Sequence, residues 1–346
     1  VERRLATLEK MRRSLFLLPL LALLLVVAPE AMPAPADAQE VTTLRLATLA
    51  PRGTAMQRAF ARWNQQLSER TGGRLRIRVY YGGAAGDERS VVRKMRSNQL
   101  DMAAVTTTGL GMIVRQAMVL SAPGVIETYP QLDAVRDALA PELGQQFEDA
   151  GFELLGWGDA GMVRLFSKRR ILRPRDMRAA RVWVWRDNPV FVATLRAMGV
   201  RGVPLALPEV LGGLQTGRID TFPSSALAAI GLQWYTQARY VSAQGSGIVV
   251  GAMVINKSVF DGLDEDMQQA LVETARASER RLQRAVRDFD QRAYQTLVDR
   301  GMHAVDAEAH RAEWEAVGER ARQSLTGRLF QRDLLSRVER IADRHR

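Results

Sequence analysis

From residue 44 onward the chain switches repeatedly between two hydrophobic periods. Leu44-Arg45-Leu46-Ala47-Thr48-Leu49 alternates as a strand with one covered face, then turns at Pro51-Arg52-Gly53. Thr54 caps a helix in which Met56, Phe60, Trp63 and Leu67 step by four, three and four residues, and Thr71-Gly72-Gly73 ends it. In Arg74 to Tyr80 arginines alternate with Leu75, Ile77 and Val79, a second strand with one buried side. A helix from about Asp87 carries Val91, Val92 and Met95, and Leu100 to Thr106 reads as a buried strand. Strands alternating with helices predict an α/β protein with a mostly parallel sheet.

The same grammar returns further along. Val91 to Asp101 aligns without gaps on Val210 to Asp220: Val91 matches Val210, Met95 matches Leu214, Asn98 matches Gly217 and Asp101 matches Asp220. Asn and Gly both suit the left-handed residue that ends a helix, so two similar lobes are expected. Phe152 to Trp157 and Met162 to Phe166 read as strands, and Gly247 to Ile255 as a strand covered on both sides. Leu263-Asp264-Glu265-Asp266 opens a long helix with an apolar stripe at Leu271, Ala275, Leu282, Val286, Phe289 and Leu297. After Gly301 a second helical stretch carries Trp314, Val317 and Leu325. Because the chain must cross between the lobes more than once, a cleft with a hinge is predicted.

At a strand end, where open α/β sheets place ligands, Arg181 to Phe191 (RVWVWRDNPVF) stands out. Arg181, Trp183 and Trp185 point to one side of this strand and Val182 and Val184 to the other. Asp187-Asn188-Pro189 then starts a helix, with an Asp or Asn cap and proline at its first position.

Composition narrows the classes. The 346 residues, 47% hydrophobic and 25% charged, suffice for two domains with real cores. The first 38 residues read as a cleavable signal: Lys10, Arg12 and Arg13 precede an apolar run from Leu15 to Ala28, and Ala36-Asp37-Ala38 has the small-x-small cleavage form. A periplasmic, exported body follows. It contains no cysteine, so disulfides, thiol catalysis and Cys-based metal sites are excluded. The formal charge of +11 is spread over dispersed arginines without a basic run, which argues against nucleic-acid binding. The histidines, His303, His310 and His345, all lie in the C-terminal helical region, and neither a nucleophile elbow, a phosphate loop nor a metal-ligand cluster occurs. The expectation is a protein that is not an enzyme and holds no cofactor or metal.

LRLATLAPRGT, TGGRLRIRVYYGG with GDERSVVRKMRSNQLDMA, DMRAARVWVWRDNPVF, LPEVLGGLQTGRID and the start of the long helix together resemble the solute-binding proteins of tripartite ATP-independent periplasmic (TRAP) transporters, dicarboxylate-binding type, over about Leu44 to Gly301. The resemblance implies two α/β lobes bridged by a long helix, closing on a small organic ligand and delivering it, as a monomer, to the TRAP membrane subunits. It implies lobe I over 39–160 and 249–287, and lobe II over 161–248 and 288–346 with the C-terminal helices. In that pattern an arginine in a Lys-hydrophobic-Arg-Val strand holds the ligand's carboxylate. Here Arg181 falls at the lysine and Trp183 at the arginine. After Asp220, where Gly-Gln-Glu-Asn-Pro is usual, Phe222 replaces an amide and Ser224 takes the asparagine position.

The expected ligand site therefore comprises Trp183, Trp157, Trp185, Phe222, Ser224, Thr106, Arg186 and Asn188, with a ligand more apolar or aromatic than the usual carboxylate. The alternatives are a carboxylate held by Arg181, Arg186 or Arg164, and an envelope protein that binds a partner and has filled its cleft. Core packing competes with cleft lining for the three tryptophans, and turn capping competes with ligand contact for Thr106, Thr107, Thr108, Ser224 and Ser225.

Overall fold

The computed structural model describes residues 41–346, so the expected signal segment at 1–38 lies outside the described residues. The chain runs β1 (Thr42–Thr48), α1 (Ala55–Arg70), β2 (Leu75–Tyr80), α2 (Glu88–Arg96), β3 (Met102–Thr106), α3 (Thr107–Ile113) and α4 (Tyr129–Asp149). It continues through β4 (Phe152–Met162), β5 (Arg164–Ser167), β6 (Trp183–Trp185), α5 (Pro189–Ala197), β7 (Val203–Leu205), α6 (Val210–Gln215), β8 (Thr221–Ser224), α7 (Ala226–Gly231) and β9 (Tyr240–Ser242). The last elements are β10 (Ile248–Asn256), α8 (Lys257–Asp261), α9 (Glu265–Asp299), β11 (His303–Val305), α10 (Arg311–Leu325) and α11 (Arg332–Asp343).

One lobe is built on a five-stranded sheet, β2-β1-β3-β10-β4, and the other on a four-stranded sheet, β11-β9-β5-β8. The pair β6-β7 joins the second through a Val182–Thr221 bridge. The expected parallel arrangement holds for β1, β2 and β3. The rest is mixed, because β4 leaves the first sheet for the second lobe and β10 returns, so β10 lies antiparallel to both β3 and β4. The two expected strands at Phe152–Trp157 and Met162–Phe166 are in fact a single eleven-residue β4 followed by a break at Val163 and the start of β5. At that break the crossing segments grip each other: the Val163 N–H donates to Gly247 O (2.8 Å) and the Ser246 N–H to Val163 O (2.9 Å).

Helix α9 spans both lobes. Its 35 residues, about 50 Å at 1.5 Å per residue, place Leu271 and Ala275 in the core with Leu44, Leu46 and Trp63. Ala293 and Leu297 join the other core, with Phe166 and Phe222. Near the crossing, Asp290 on α9 accepts from Met162 N (2.9 Å) and Leu227 N (2.8 Å), tying β4 to the start of α7. Gly161 is required there: it sits at φ +98°, and a Cβ would come within 2.6 Å of the Asp290 carboxyl. The region after Gly301, expected to be helical, forms the short strand β11 and then two helices. Val317 of α10 packs with Met177 and Leu195 of the second lobe. Helix α11, expected there too, instead buries Leu334, Leu335, Val338 and Ile341 in the core that holds Leu132, Val135 and Leu139 of α4.

The internal repeat is matched in hydrogen bonds. Asp101 accepts from Arg45 N (2.7 Å) and pairs with its guanidinium (2.7 Å). Asp220 accepts from Arg181 N (2.9 Å) and pairs with its guanidinium (3.3 Å). Asn98 at φ 55° and Gly217 at φ 73° end the two equivalent helices. The Asn256 side chain donates to Met95 O and the Lys168 side chain to Leu214 O, the same position in each copy.

Candidate functional site

A cavity of about 640 Å³ lies between the two sheets. Its first-lobe wall includes Thr48, Ala104, Thr106, Trp157 and Met253, and its second-lobe wall Trp183, Trp185, Phe191, Pro223, Ser224 and Trp234. Leu282, Val286 and Phe289 of α9, together with Trp314 of α10, close other sides.

The Trp183 segment alternates as its sequence implies. Val182 and Val184 enter one core with Met177 and Leu195. Trp183 enters the other, and Trp185 packs against it. Trp183 both touches the cavity and belongs to the core: it is only 4% exposed, its Nε1 donates to Leu205 O (3.2 Å), and Trp234, Phe191 and Trp185 surround its rings at 5.2, 6.4 and 6.2 Å. Trp157 and Trp185 are half-buried and also line the cavity.

Two expected site residues lie elsewhere. Phe222 is fully buried, stacked on Phe166 at 5.3 Å, because in β8 its side chain points away from the face that carries Pro223 to the cavity. Arg186 is exposed and forms no part of the wall, since the chain turns just beyond β6. The other arginines considered for a carboxylate, Arg181 and Arg164, also lie outside the wall. Arg181 repeats the Arg45 pairing with Asp220. Arg164 is buried, donates to the carbonyls of Ser242 and Ala243, and lies 3.8 Å from the centre of the Tyr294 ring.

The polar wall residues are similarly occupied. Thr106 Oγ1 donates to Glu88 (2.9 Å) and accepts from Thr108 N (3.2 Å), and Ser224 Oγ donates to Ser225 O (3.0 Å). Thr107 shares a hydrogen bond with Ser121, and Ser225 caps α7. Asn188 caps α5 with its oxygen, while its nitrogen donates across the cleft to Thr108 Oγ1 (3.0 Å). Beside it, Asp187 pairs with Arg89 of α2, so this turn ties the second lobe to the first.

Charged groups dominate what sequence reasoning missed. Among the described residues Arg311 is the one guanidinium lining the cavity, and it is shared among Glu127 (3.0 Å), Glu308 (3.6 Å) and Glu315 (2.8 Å). Asp159 is held by Arg136 and Arg287, each at 2.7 Å. Glu88 accepts from Thr106 N, Thr106 Oγ1 and Gly109 N (2.7, 2.9 and 2.7 Å). Glu279 of α9 takes the Trp157 N–H on Oε1 (3.0 Å). A signal for Glu279 was present: Ala275, Glu279, Leu282 and Val286 step by four, three and four, which puts a carboxylate on the apolar stripe.

Burial pushes the Glu88 carboxyl up to about 7, against the three hydrogen bonds that favour its charge. Both folded and unfolded chains hold the proton in strong acid. As pH rises from the ordinary glutamate range through about 7, the unfolded chain loses it first and stability falls, by on the order of 3 kcal/mol. Glu88→Gln is expected to remove that slope. Melting temperatures of both proteins between pH 4 and 8 test this; parallel curves would refute it.

The family model for DctP, bacterial extracellular solute-binding protein, family 7, matches residues 46–326. A solute-binding protein of Verminephrobacter eiseniae is 24% identical over 273 residues, 78% of this chain and 81% of its own length. The 2,3-diketo-L-gulonate-binding periplasmic protein YiaO of Escherichia coli is 21% identical over 286 residues, 82% of this chain and 87% of its own. The sugar acid binding protein DctPAm of Advenella mimigardefordensis, solved in complex with galactonate, superposes with a TM-score of 0.83 at 16% identity, covering 89% of this chain and 99% of that one. The chain belongs to the bacterial extracellular solute-binding proteins of family 7, the periplasmic receptors of TRAP transporters, and is a transport component rather than an enzyme.

Proposed function

We propose that this receptor captures an organic molecule with a substantial apolar or aromatic part and delivers it to TRAP membrane subunits. The observation that carries this reading is Trp183, an indole at the position where the family pattern has its carboxylate-binding arginine. The relatives named above bind 2,3-diketo-L-gulonate and galactonate, both sugar acids. Among the described residues, a carboxylate placed in this cavity meets a single guanidinium, already shared by three glutamates. Burying it without a partner costs several kcal/mol, whereas Trp157, Trp183, Trp185 and Trp234 offer apolar faces. An open volume of about 640 Å³ also favours a ligand over a cleft filled by the chain's own side chains.

Native mass spectrometry of protein purified from its host tests the reading. The expected result is a bound apolar organic molecule, released on denaturation. Recovery of only an unmodified sugar acid or small dicarboxylate would overturn it.

A further inference from the structure

We propose that the polar end of the ligand is a protonated amine held by Glu279, an inference that rests on the apolar-ligand reading and narrows it. Each other carboxylate in the cavity wall is accounted for. Glu127, Glu308 and Glu315 surround Arg311, and Asp159 is bound by two arginines. Glu88 has no cation among the described residues, but both of its oxygens are filled by N–H and O–H donors.

Glu279 differs from all of these. Its Oε1 accepts from Trp157 N (3.0 Å) and Gln283 Nε2 (3.1 Å), while Oε2 has neither a hydrogen bond nor an ion pair among the described residues. The carboxylate lines the cavity against the Trp157 main chain. Gly156 makes room for it, since a Cβ there would come within 2.8 Å of Oε2. Burial raises the Glu279 carboxyl above its ordinary range, against the Trp157 N–H and the more distant Arg136 charge. An incoming ammonium supplies the missing countercharge and donates to Oε2. A neutral hydroxyl supplies only the hydrogen bond, and a carboxylate adds repulsion.

Three probes share one aromatic body and differ at the end: tryptamine carries an ammonium, tryptophol a hydroxyl and indole-3-propionate a carboxylate. Calorimetric titration of the mature protein at pH 8 is expected to rank them in that order, with tryptamine at least tenfold tighter than indole-3-propionate. Glu279→Gln keeps an acceptor for the Trp157 N–H and is expected to weaken tryptamine at least tenfold without weakening indole-3-propionate. Gly156→Ala, which displaces Oε2 and retains its charge, is expected to shift tryptamine in the same direction. Binding of indole-3-propionate as tight as that of tryptamine, or tryptamine affinity within twofold of wild type in both variants, would overturn the amine assignment and leave the apolar reading standing. Failure of all three probes to bind would sink the apolar reading and this inference with it.

Discussion

Replacing Asp159 with alanine is expected to lower unfolding stability by about 3–5 kcal/mol, the range for breaking a buried ion pair from one side. The Asp159 side chain is fully buried and holds Arg136, itself 3% exposed, at 2.7 Å and Arg287 Nε at 2.7 Å. These arginines lie on α4 and α9, so one carboxylate on β4 neutralises charges from both neighbouring helices. Arg136 Nη1 is already buried without a partner among the described residues, and Asp133, nearly half exposed, reaches Arg136 only at 3.1 Å. Removing Asp159 therefore strands a buried guanidinium with a weak substitute. Asp133→Ala leaves Asp159 in place and is expected to cost about 1 kcal/mol. Urea unfolding of the two variants distinguishes them; equal midpoints would show that the buried pair contributes no more than the exposed one.

Trp183→Ala is expected to cost about 3–5 kcal/mol, as deletion of a buried aromatic does, and to weaken capture of the native ligand more than tenfold. A site residue read from sequence alone suggests a variant with its fold largely intact. The packing corrects that: the indole is enclosed by Trp185, Phe191 and Trp234, and its loss leaves Leu205 O without its donor. Trp185→Ala serves as the comparison, because that side chain is only half-buried and its removal trades less stability for a similar loss of aromatic wall. Thermal melts and intrinsic fluorescence titrations of both variants with the co-purified compound separate the two effects. A Trp183→Ala protein that melts with the wild type would refute the core role, and one with unchanged affinity would refute the wall role.

Much of the fold was legible because it follows from local periodicity. The spacing of Phe60, Trp63 and Leu67 marks the buried face of α1, Asp87 caps α2, and the acidic start at Leu263 to Asp266 opens α9. The repeated Asp101 and Asp220 each grip an arginine of the segment alongside, Arg45 and Arg181. Less was legible at the cavity. Alternation placed Trp183 and Trp185 on one face, but a strand pattern gives a side and not what fills it. Phe222 looked like a wall residue and is core, while Arg164, one of three alternatives for holding a carboxylate, donates to the carbonyls of Ser242 and Ala243.

By itself, the sequence determined the alternation of strands and helices, the capped ends and the duplicated Asp-ended unit, all of them properties of neighbours a few residues apart. Only the tertiary structure decided which charges remain available. Arg311 meets Glu127 from 184 positions away, Arg287 meets Asp133 from 154, and Glu279 keeps an oxygen without a partner among the described residues. The physical reason is that a charge in a low-dielectric cleft is specified by its partners, and those partners come together only when α4, β4, α9 and α10 pack.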